Sequence, residues 1–333
     1  MQFVKEFKDT LFETNQANFE QKALALFRFQ AVANPLYASY LRHLRCSPEQ
    51  VSHLAEIPFL PIEFFKSHSI QSTQQPAQMV FESSGTTGQV PSRHLVADTA
   101  LYQAVSRRIF EQHYGALSGY HFLALLPAYL ERQHSSLVYM INHFIEQAAS
   151  PFSGYYLYDY PALIRQVENL QKHNSEKRKI MLWGVTFALL DLAEAYRLDW
   201  QDVEVVETGG MKGRRQELTR AELHGLLKER LGVERVGAEY GMTELLSQAY
   251  ASAEGVFEEP FSMRIYLREL NDPFSLHREP ERSGAINIID LANVDSCAFI
   301  ESKDIGRLLP DGRFEVLGRM DNSDIRGCSL LAV

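Results

Sequence analysis

From about Phe3 to Leu54 apolar positions recur at helical spacing, as at Phe19, Ala23 and Phe27, which predicts a helical amino-terminal segment. Ser47-Pro48-Glu49-Gln50 predicts one further helix start, with Ser47 as cap, Pro48 in the first turn and Gln50 reaching back. Pro58 and Pro61 punctuate Ile57 to Phe65, and the Gln/Ser-rich stretch from Ser69 to Gln78 reads as a loop. Past residue 100, apolar runs of strand length alternate with helix-period segments, the pattern of an α/β core. Lys179 to Val185 predicts a buried strand, with Thr186 placed to cap a helix from Phe187 to Tyr196. Val203 to Val206 predicts a second buried strand that runs into Glu207-Thr208-Gly209-Gly210. Thr219-Arg220-Ala221-Glu222 is a capping box for a helix with apolar face Leu223, Leu226, Leu227 and Leu231, ended by Gly232. A strand near Arg235 to Ala238 follows. From Phe261 onward β signals dominate, with a strand over Ala285 to Asp290 and a hairpin from Leu308 to Phe314 that turns at Asp311-Gly312.

With 333 residues, 45% hydrophobic and 23% charged, the chain has the balance of a globular protein rather than a disordered one, and the length for one large or two ordinary domains. A net charge of −9 without a long Lys/Arg cluster excludes a nucleic-acid-binding surface; the runs Lys177-Arg178-Lys179 and Lys212-Gly213-Arg214-Arg215 are too short to change this. The most apolar run, Ile180 to Leu190, contains Gly184 and Thr186 and stops at Asp191, short of a membrane span. Met1-Gln2-Phe3-Val4-Lys5-Glu6 lacks the apolar core of a signal peptide. Cys46, Cys297 and Cys328 show no metal-ligand spacing and fit a reducing compartment, so a cytoplasmic location is expected.

The chemistry begins at Phe81-Glu82-Ser83-Ser84-Gly85-Thr86-Thr87-Gly88, a short run of glycines and hydroxyls whose backbone N–H and O–H donors suit a polyphosphate. It is not a Walker A loop, since no Gly-Lys-Ser/Thr ending is present; the nearest cations are Arg93 and, far off in sequence, Lys66. Read alone, the run is equally a solvated turn. Three further pieces fall at predicted strand ends or loops: Thr208-Gly209-Gly210-Met211, Tyr240-Gly241-Met242-Thr243-Glu244 and Asp304-Ile305-Gly306-Arg307. Strand ends are where α/β sheets bind ligands. Glu244 is a candidate Mg2+ ligand, Thr243 a donor to phosphate or carboxylate, and Asp304 an acceptor from ribose hydroxyls, while Gly209 and Gly210 let a flat base lie against backbone. Together they predict an ATP site.

In this order the pieces resemble the adenylate-forming superfamily of acyl-CoA synthetases, luciferases and peptide-synthetase adenylation domains. Ser83, Ser84, Gly85, Thr86, Thr87 and Gly88 match its phosphate loop, Gly209 and Gly210 its adenine-contacting turn, and Tyr240 to Glu244 its Tyr-Gly-x-Thr-Glu motif. Asp304 matches its ribose aspartate and Gly318-Arg319-Met320-Asp321 its hinge, so the resemblance spans residues 81 to about 327. The lysine usual after the phosphate loop is absent, with Arg93 the candidate substitute, and the chain stops at Val333, so the mobile lid of larger synthetases is expected to be missing.

Pro58-Phe59-Leu60-Pro61 to Lys66 ahead of the loop, His134-Ser135-Ser136-Leu137 after it, and the ending Arg326-Gly327-Cys328 are similar to the LuxE-type acyl-protein synthetases. That resemblance implies an α/β, adenylate-forming synthetase-like large domain: a helical segment over 1–75, an α/β core over 76–260, and a β-rich end with a reactive tail over 261–333. It also implies ATP, Mg2+, a fatty or other carboxylic acid, an acyl-adenylate, and transfer to Cys328, with an acyl reductase, transferase or acyl carrier as partner. An extended tail reaches at most about 24 Å from Asp321 to Cys328, enough for the sulfur to swing to a site beside the hinge, and Arg326 favours its thiolate. Read by itself, an isolated cysteine such as Cys328 is usually a small apolar residue, here beside Leu330 and Leu331, and it is the family resemblance that makes it the acyl acceptor. Two other functions stay open: a ligase that uses free coenzyme A, and a non-catalytic nucleotide or acyl-adenylate binder.

Among the remaining candidates, Tyr240 stacks or packs, Ser135 or Ser136 caps a helix, and Lys212 reaches a phosphate or stays solvated. Cys46 and Cys297 read as structural. Leu125, Leu126, Phe144 and Phe187 line an acyl tunnel or fill the core.

Overall fold

The computed structural model describes residues 2–83, 90–127, 134–209 and 218–320. The chain opens with helices α1 (Gln2–Thr10), α2 (Phe19–Ala33) and α3 (Pro35–His43). α2 buries Phe19, Ala23, Leu26, Phe27 and Ala31, the stripe its period marked. The helix expected after Ser47 does not form. Gln50 N–H bonds the Ser47 carbonyl in a lone turn, and the chain then extends, with Val51 buried and its carbonyl accepting from Arg28 at 3.1 Å. That packing overrides the local helix signal.

Next come β1 (Leu60–Pro61), α4 (Phe64–Ser67), a hairpin of β2 (Met79–Glu82) and β3 (Arg93–Val96), and α5 (Thr99–Tyr114). The core continues as β4 (Tyr120–Leu125), α6 (Ser136–Ala148), β5 (Gly154–Tyr155), α7 (Tyr160–His173), β6 (Lys179–Val185) and α8 (Thr186–Ala195). β7 (Val203–Thr208), α9 (Arg220–Leu231), β8 (Val236–Tyr240) and β9 (Ala249–Ala251) complete it. Last are β10 (Val256–Phe257), β11 (Met263–Arg268), β12 (Leu276–His277), β13 (Ser283–Asp290), β14 (Phe299–Leu308) and β15 (Phe314–Arg319).

The core sheet runs β5-β4-β6-β7-β8-β9, parallel except for antiparallel β9. β4 is buried throughout and β6 from Ile180 onward, as strands covered on both faces must be. Leu125, Leu126, Phe144 and Phe187 are buried in this core. The Thr219 capping box closes α9 as expected, and Gly232 ends it at φ +68°. Ser135 caps α6, its hydroxyl accepting from Val138 N–H at 3.3 Å. Thr186, by contrast, is no cap: its hydroxyl donates to Glu207 Oε2 at 2.9 Å and to the Gly209 carbonyl. The helix begins at Thr186 itself, so the cap position falls to Val185 and the hydroxyl turns to buried acceptors instead.

The second sheet runs β10-β15-β14-β13-β11-β12, antiparallel, with β1 laid parallel along β14. The β14–β15 connection turns through Gly312 at φ +86°, where Asp311-Gly312 predicted it. The amino-terminal helices are fastened to the 291–298 loop by buried polar contacts. Gln30 donates to the Asn293 carbonyl at 2.8 Å and accepts from Ala298 N–H at 2.9 Å, and Lys8 bridges Asp98 and Asp295 at 3.0 and 2.6 Å.

Candidate functional site

β7 and β8 run past their expected ends, so Gly209 and Tyr240 to Glu244 leave the sheet at its carboxyl edge. Tyr240 is buried and its hydroxyl donates to Asp304 Oδ2, from β14, at 2.8 Å. Arg319 stands opposite Asp304 in the β14–β15 register, with its Nε 3.9 Å from Asp304 Oδ1. Burial pushes the Asp304 carboxyl above the ordinary aspartate range, opposed by the Tyr240 hydroxyl and the Arg319 charge. Asp304 keeps lone pairs on both oxygens for a ligand's hydroxyls.

Thr243 and Glu244 sit on the turn after β8 and are tied to the β2–β3 hairpin. His94, 1% exposed on β3, donates from Nδ1 to the Thr243 carbonyl at 2.9 Å. Burial holds its imidazole down at about 4, so the ring is neutral near pH 7. Glu244 is 5% exposed; burial raises its carboxyl, and the Ser92 hydroxyl and the Arg319 charge oppose that. Its carbonyl accepts from Asn293 Nδ2 at 2.9 Å. The turn is held farther along by Asp290, which accepts from Leu246 N–H at 2.8 Å, Ser247 N–H at 3.0 Å and the Ser247 hydroxyl at 2.6 Å. Within the hairpin, Ser83 Oγ accepts from Ser92 N–H at 2.8 Å, and Arg93 faces Glu82 at 3.5 Å.

Beneath the Gly209 bend lies a second buried polar group. Gly209 adopts φ +68°, a region that favours glycine. Thr208 donates its hydroxyl to Glu239, its register partner on β8. Burial, and less strongly the Glu207 charge, raise the Glu239 carboxyl to about 7 against the Thr208 hydrogen bond. Arg220 donates to Glu207 at 3.1 Å and lies over the Phe257 ring at 5.0 Å. A Cβ on Gly241 would fall inside contact distance of Glu239 Oε1, so the close approach needs glycine there.

The fold thus brings Tyr240, Asp304 and Arg319 into one group, and links Thr243 and Glu244 to the β2–β3 hairpin, where Ser83 follows β2 and Arg93 opens β3. Ser84, Gly85, Thr86, Thr87, Gly88, Gly210, Lys212, Arg326 and Cys328 lie outside the described residues. Sequence reasoning missed Ser92, His94, Glu239, Asp290 and Asn293; an acid just before Tyr240 in a buried strand was the one local signal. Cys297 is buried, with its thiol pushed up to about 12, and Cys46 is half-buried with a raised thiol, as fits structural cysteines. A cleft of about 560 Å³ opens at the opposite, amino end of the core strands, and none of the motif residues lines it. No cluster of three metal-ligating side chains occurs among the described residues. Glu244 is a single buried carboxylate, the kind of ligand that Mg2+ takes together with substrate phosphates. No helix among the described residues is long and apolar enough to cross a membrane.

No protein-family model matches the sequence and no curated protein is similar to it. Solved structures are similar in fold. ATP-bound MatB from Rhodopseudomonas palustris superposes with a TM-score of 0.53 at 14% identity, over 72% of this chain and 47% of that one. O-succinylbenzoate coenzyme A synthetase (MenE) from Bacillus subtilis, in complex with ATP and magnesium, gives 0.51 at 19% identity, over 74% and 51%. 2-Hydroxyisobutyryl-CoA ligase in complex with 2-HIB-AMP gives 0.64 at 11% identity, over 92% and 69%. The chain spans about half the length of the first two. At such identities the likeness shows the fold alone: an α/β fold like that of the large domain of these synthetases and ligases, as expected from the motifs.

Proposed function

We propose that this protein is an ATP-dependent, adenylate-forming ligase that activates a fatty or other carboxylic acid and passes the acyl group to its own Cys328. The observation that carries the reading is the Tyr240–Asp304–Arg319 group, set beside the Thr243–Glu244 turn at the carboxyl edge of a parallel sheet. Asp304 accepts from the ribose hydroxyls, Tyr240 orients Asp304, and Gly209 and Gly210 lie against the adenine. Gly241 keeps the backbone open beside them. Ser83, Ser84, Gly85, Thr86, Thr87 and Gly88 cradle the phosphates, and Thr243 donates to the reacting phosphoryl group. Arg93 and Arg319 stabilise the charge that develops there. Mg2+, held by Glu244 and the phosphates, supplies Lewis-acid neutralisation of that charge when bound.

The acid is ionised at neutral pH and needs no general base. Its carboxylate oxygen forms a bond to the α-phosphorus as the α–β bridging P–O bond breaks, and pyrophosphate departs with the electron pair. The Cys328 thiolate then adds to the acyl carbonyl, a C–S bond forms, the bond to the AMP oxygen breaks, and AMP leaves. An acyl reductase, transferase or carrier would receive the acyl group, and the location is cytoplasmic.

Intact-protein mass after incubation with ATP, Mg2+ and a series of fatty acids tests this. An acyl adduct that hydroxylamine removes, and that Cys328→Ser lacks, is the expected result. The structural neighbours that are named as coenzyme A synthetases or ligases favour free coenzyme A as the alternative acceptor. Thioester formation with coenzyme A that persists in Cys328→Ser would decide for it, and ATP binding without pyrophosphate release for any acid would leave only a binding module.

A further inference from the structure

Lys66 is remote in sequence from the Ser/Gly/Thr run, yet the fold carries it to Arg93. α4 packs against β3, and between them lies a cavity of about 120 Å³ lined by Lys66, His68, Arg93 and the hydroxyl residues Ser67 and Ser69. Among the described residues no carboxylate lines it, and the Lys66 ammonium has neither an ion pair nor a hydrogen bond. Among the described residues Arg93 has one acidic partner, Glu82, its cross-strand neighbour at 3.5 Å, and both side chains are exposed. The His68 ring lies against Phe64 at 5.3 Å, with Nδ1 2.8 Å from Ser67 Oγ. With Ser67 donating to Nδ1, Nε2 carries the ring proton and is a donor.

Two cations that line one small concavity repel each other, and a multiply charged anion turns that repulsion into binding. We propose that this cavity is a polyphosphate subsite that takes the β- and γ-phosphoryl groups of ATP. The assignment to ATP rests on the adenylation reading above. Size decides which part of the nucleotide fits, because pockets that enclose a whole drug-sized ligand run to ~300–1,000 Å³. At about 120 Å³ the cavity is too small for a whole nucleotide and has room for a phosphoryl group. Arg93 opens the strand that follows the Ser/Gly/Thr run, so the cavity lies beside the stem of the hairpin that carries the run. No lysine follows that run in sequence; α4 brings one in from the other side.

Inorganic pyrophosphate, titrated with Mg2+ into the full chain by calorimetry, is the probe. Wild type is expected to bind it in competition with ATP, and Lys66→Ala and Arg93→Ala each to weaken it by about tenfold, the worth of one charge-assisted contact. Lys66→Arg keeps the affinity, and Glu82→Gln, which frees Arg93, raises it. Thermal midpoints stay unchanged, since both cations are exposed. No binding to wild type, or equal binding to Lys66→Ala, overturns the subsite. Pyrophosphate that needs Lys66 but is not displaced by ATP overturns the assignment to ATP and gives the cavity to another phosphorylated ligand. The two readings fail separately. Lys66-dependent pyrophosphate binding in a protein that adenylates no acid removes the ligase reading alone, while adenylation with the same KM for ATP in Lys66→Ala removes the subsite alone.

Discussion

His94 and Thr243 are joined by one hydrogen bond, from the imidazole Nδ1 to the Thr243 carbonyl oxygen at 2.9 Å, and it couples two motifs far apart in sequence. Nothing else about His94 is solvated: it packs edge-on to Phe65 at 5.8 Å and is buried. Its ring sets the peptide between Thr243 and Glu244 relative to β3.

Replacement of His94 by alanine is expected to cost about 1–3 kcal/mol of stability through the unpaired carbonyl. His94→Asn retains a donor and should recover part of that, along with part of the rate of pyrophosphate release. Thermal unfolding and single-turnover kinetics on both variants check this. Equal rates in wild type and His94→Ala would remove any positioning role.

His94 and Glu239 set opposing pH responses. The imidazole is depressed from 6.5 to about 4, so the unfolded chain binds its proton first and stability falls as pH drops from 6.5 towards 4. The Glu239 carboxyl is raised from 4.5 to about 7, so the folded chain binds its proton first and stability rises as pH drops from 7 towards 4.5. Across their shared window the two contributions offset each other. Denaturant unfolding from pH 4.5 to 6.5 should therefore show that, relative to wild type, Glu239→Gln loses stability in acid and His94→Gln gains it.

Tyr240→Phe deletes the donor to Asp304 and leaves a buried ring of nearly the same volume. A stability loss of about 1 kcal/mol is expected. The KM for ATP should rise while the KM for the acid holds, as fits a residue that orients a ribose contact. An unchanged KM for ATP would separate Tyr240 from nucleotide binding.

Gly241→Ala places a Cβ against the Glu239 carboxylate, which its bond to Thr208 holds in place. Overpacking of this kind costs about 1–3 kcal/mol. In a Glu239→Ala background most of that cost should vanish, and a double-mutant cycle on unfolding free energies measures the coupling.

Much of the core was legible because strands buried on both faces write themselves as apolar runs, as in β6, and because the α9 capping box and the Asp311-Gly312 turn are local. The ends of β7 and β8 were not. Thr208 and Glu239 are polar, and they stay in the sheet only because each pairs with the other across the strands. Ser47 and Thr186 were misread for the same reason: each carries a local cap signal, and a distant partner or buried neighbour decided its geometry. Tyr240, Asp304 and Arg319 stood out by motif, while Ser92, His94 and Asn293 act on residues more than forty positions away, and nothing in a linear pattern records that reach.

The Gln30 side chain gives the amino-terminal helices a reach well beyond their own packing. It grips the Asn293 carbonyl and the Ala298 N–H, and Asn293 in turn holds the Glu244 carbonyl. A splint made of two side chains and two loops thus runs from the first helices to the acid expected to meet magnesium. Trimming those helices would leave every motif residue in the chain and still unfasten the turn that aims Glu244.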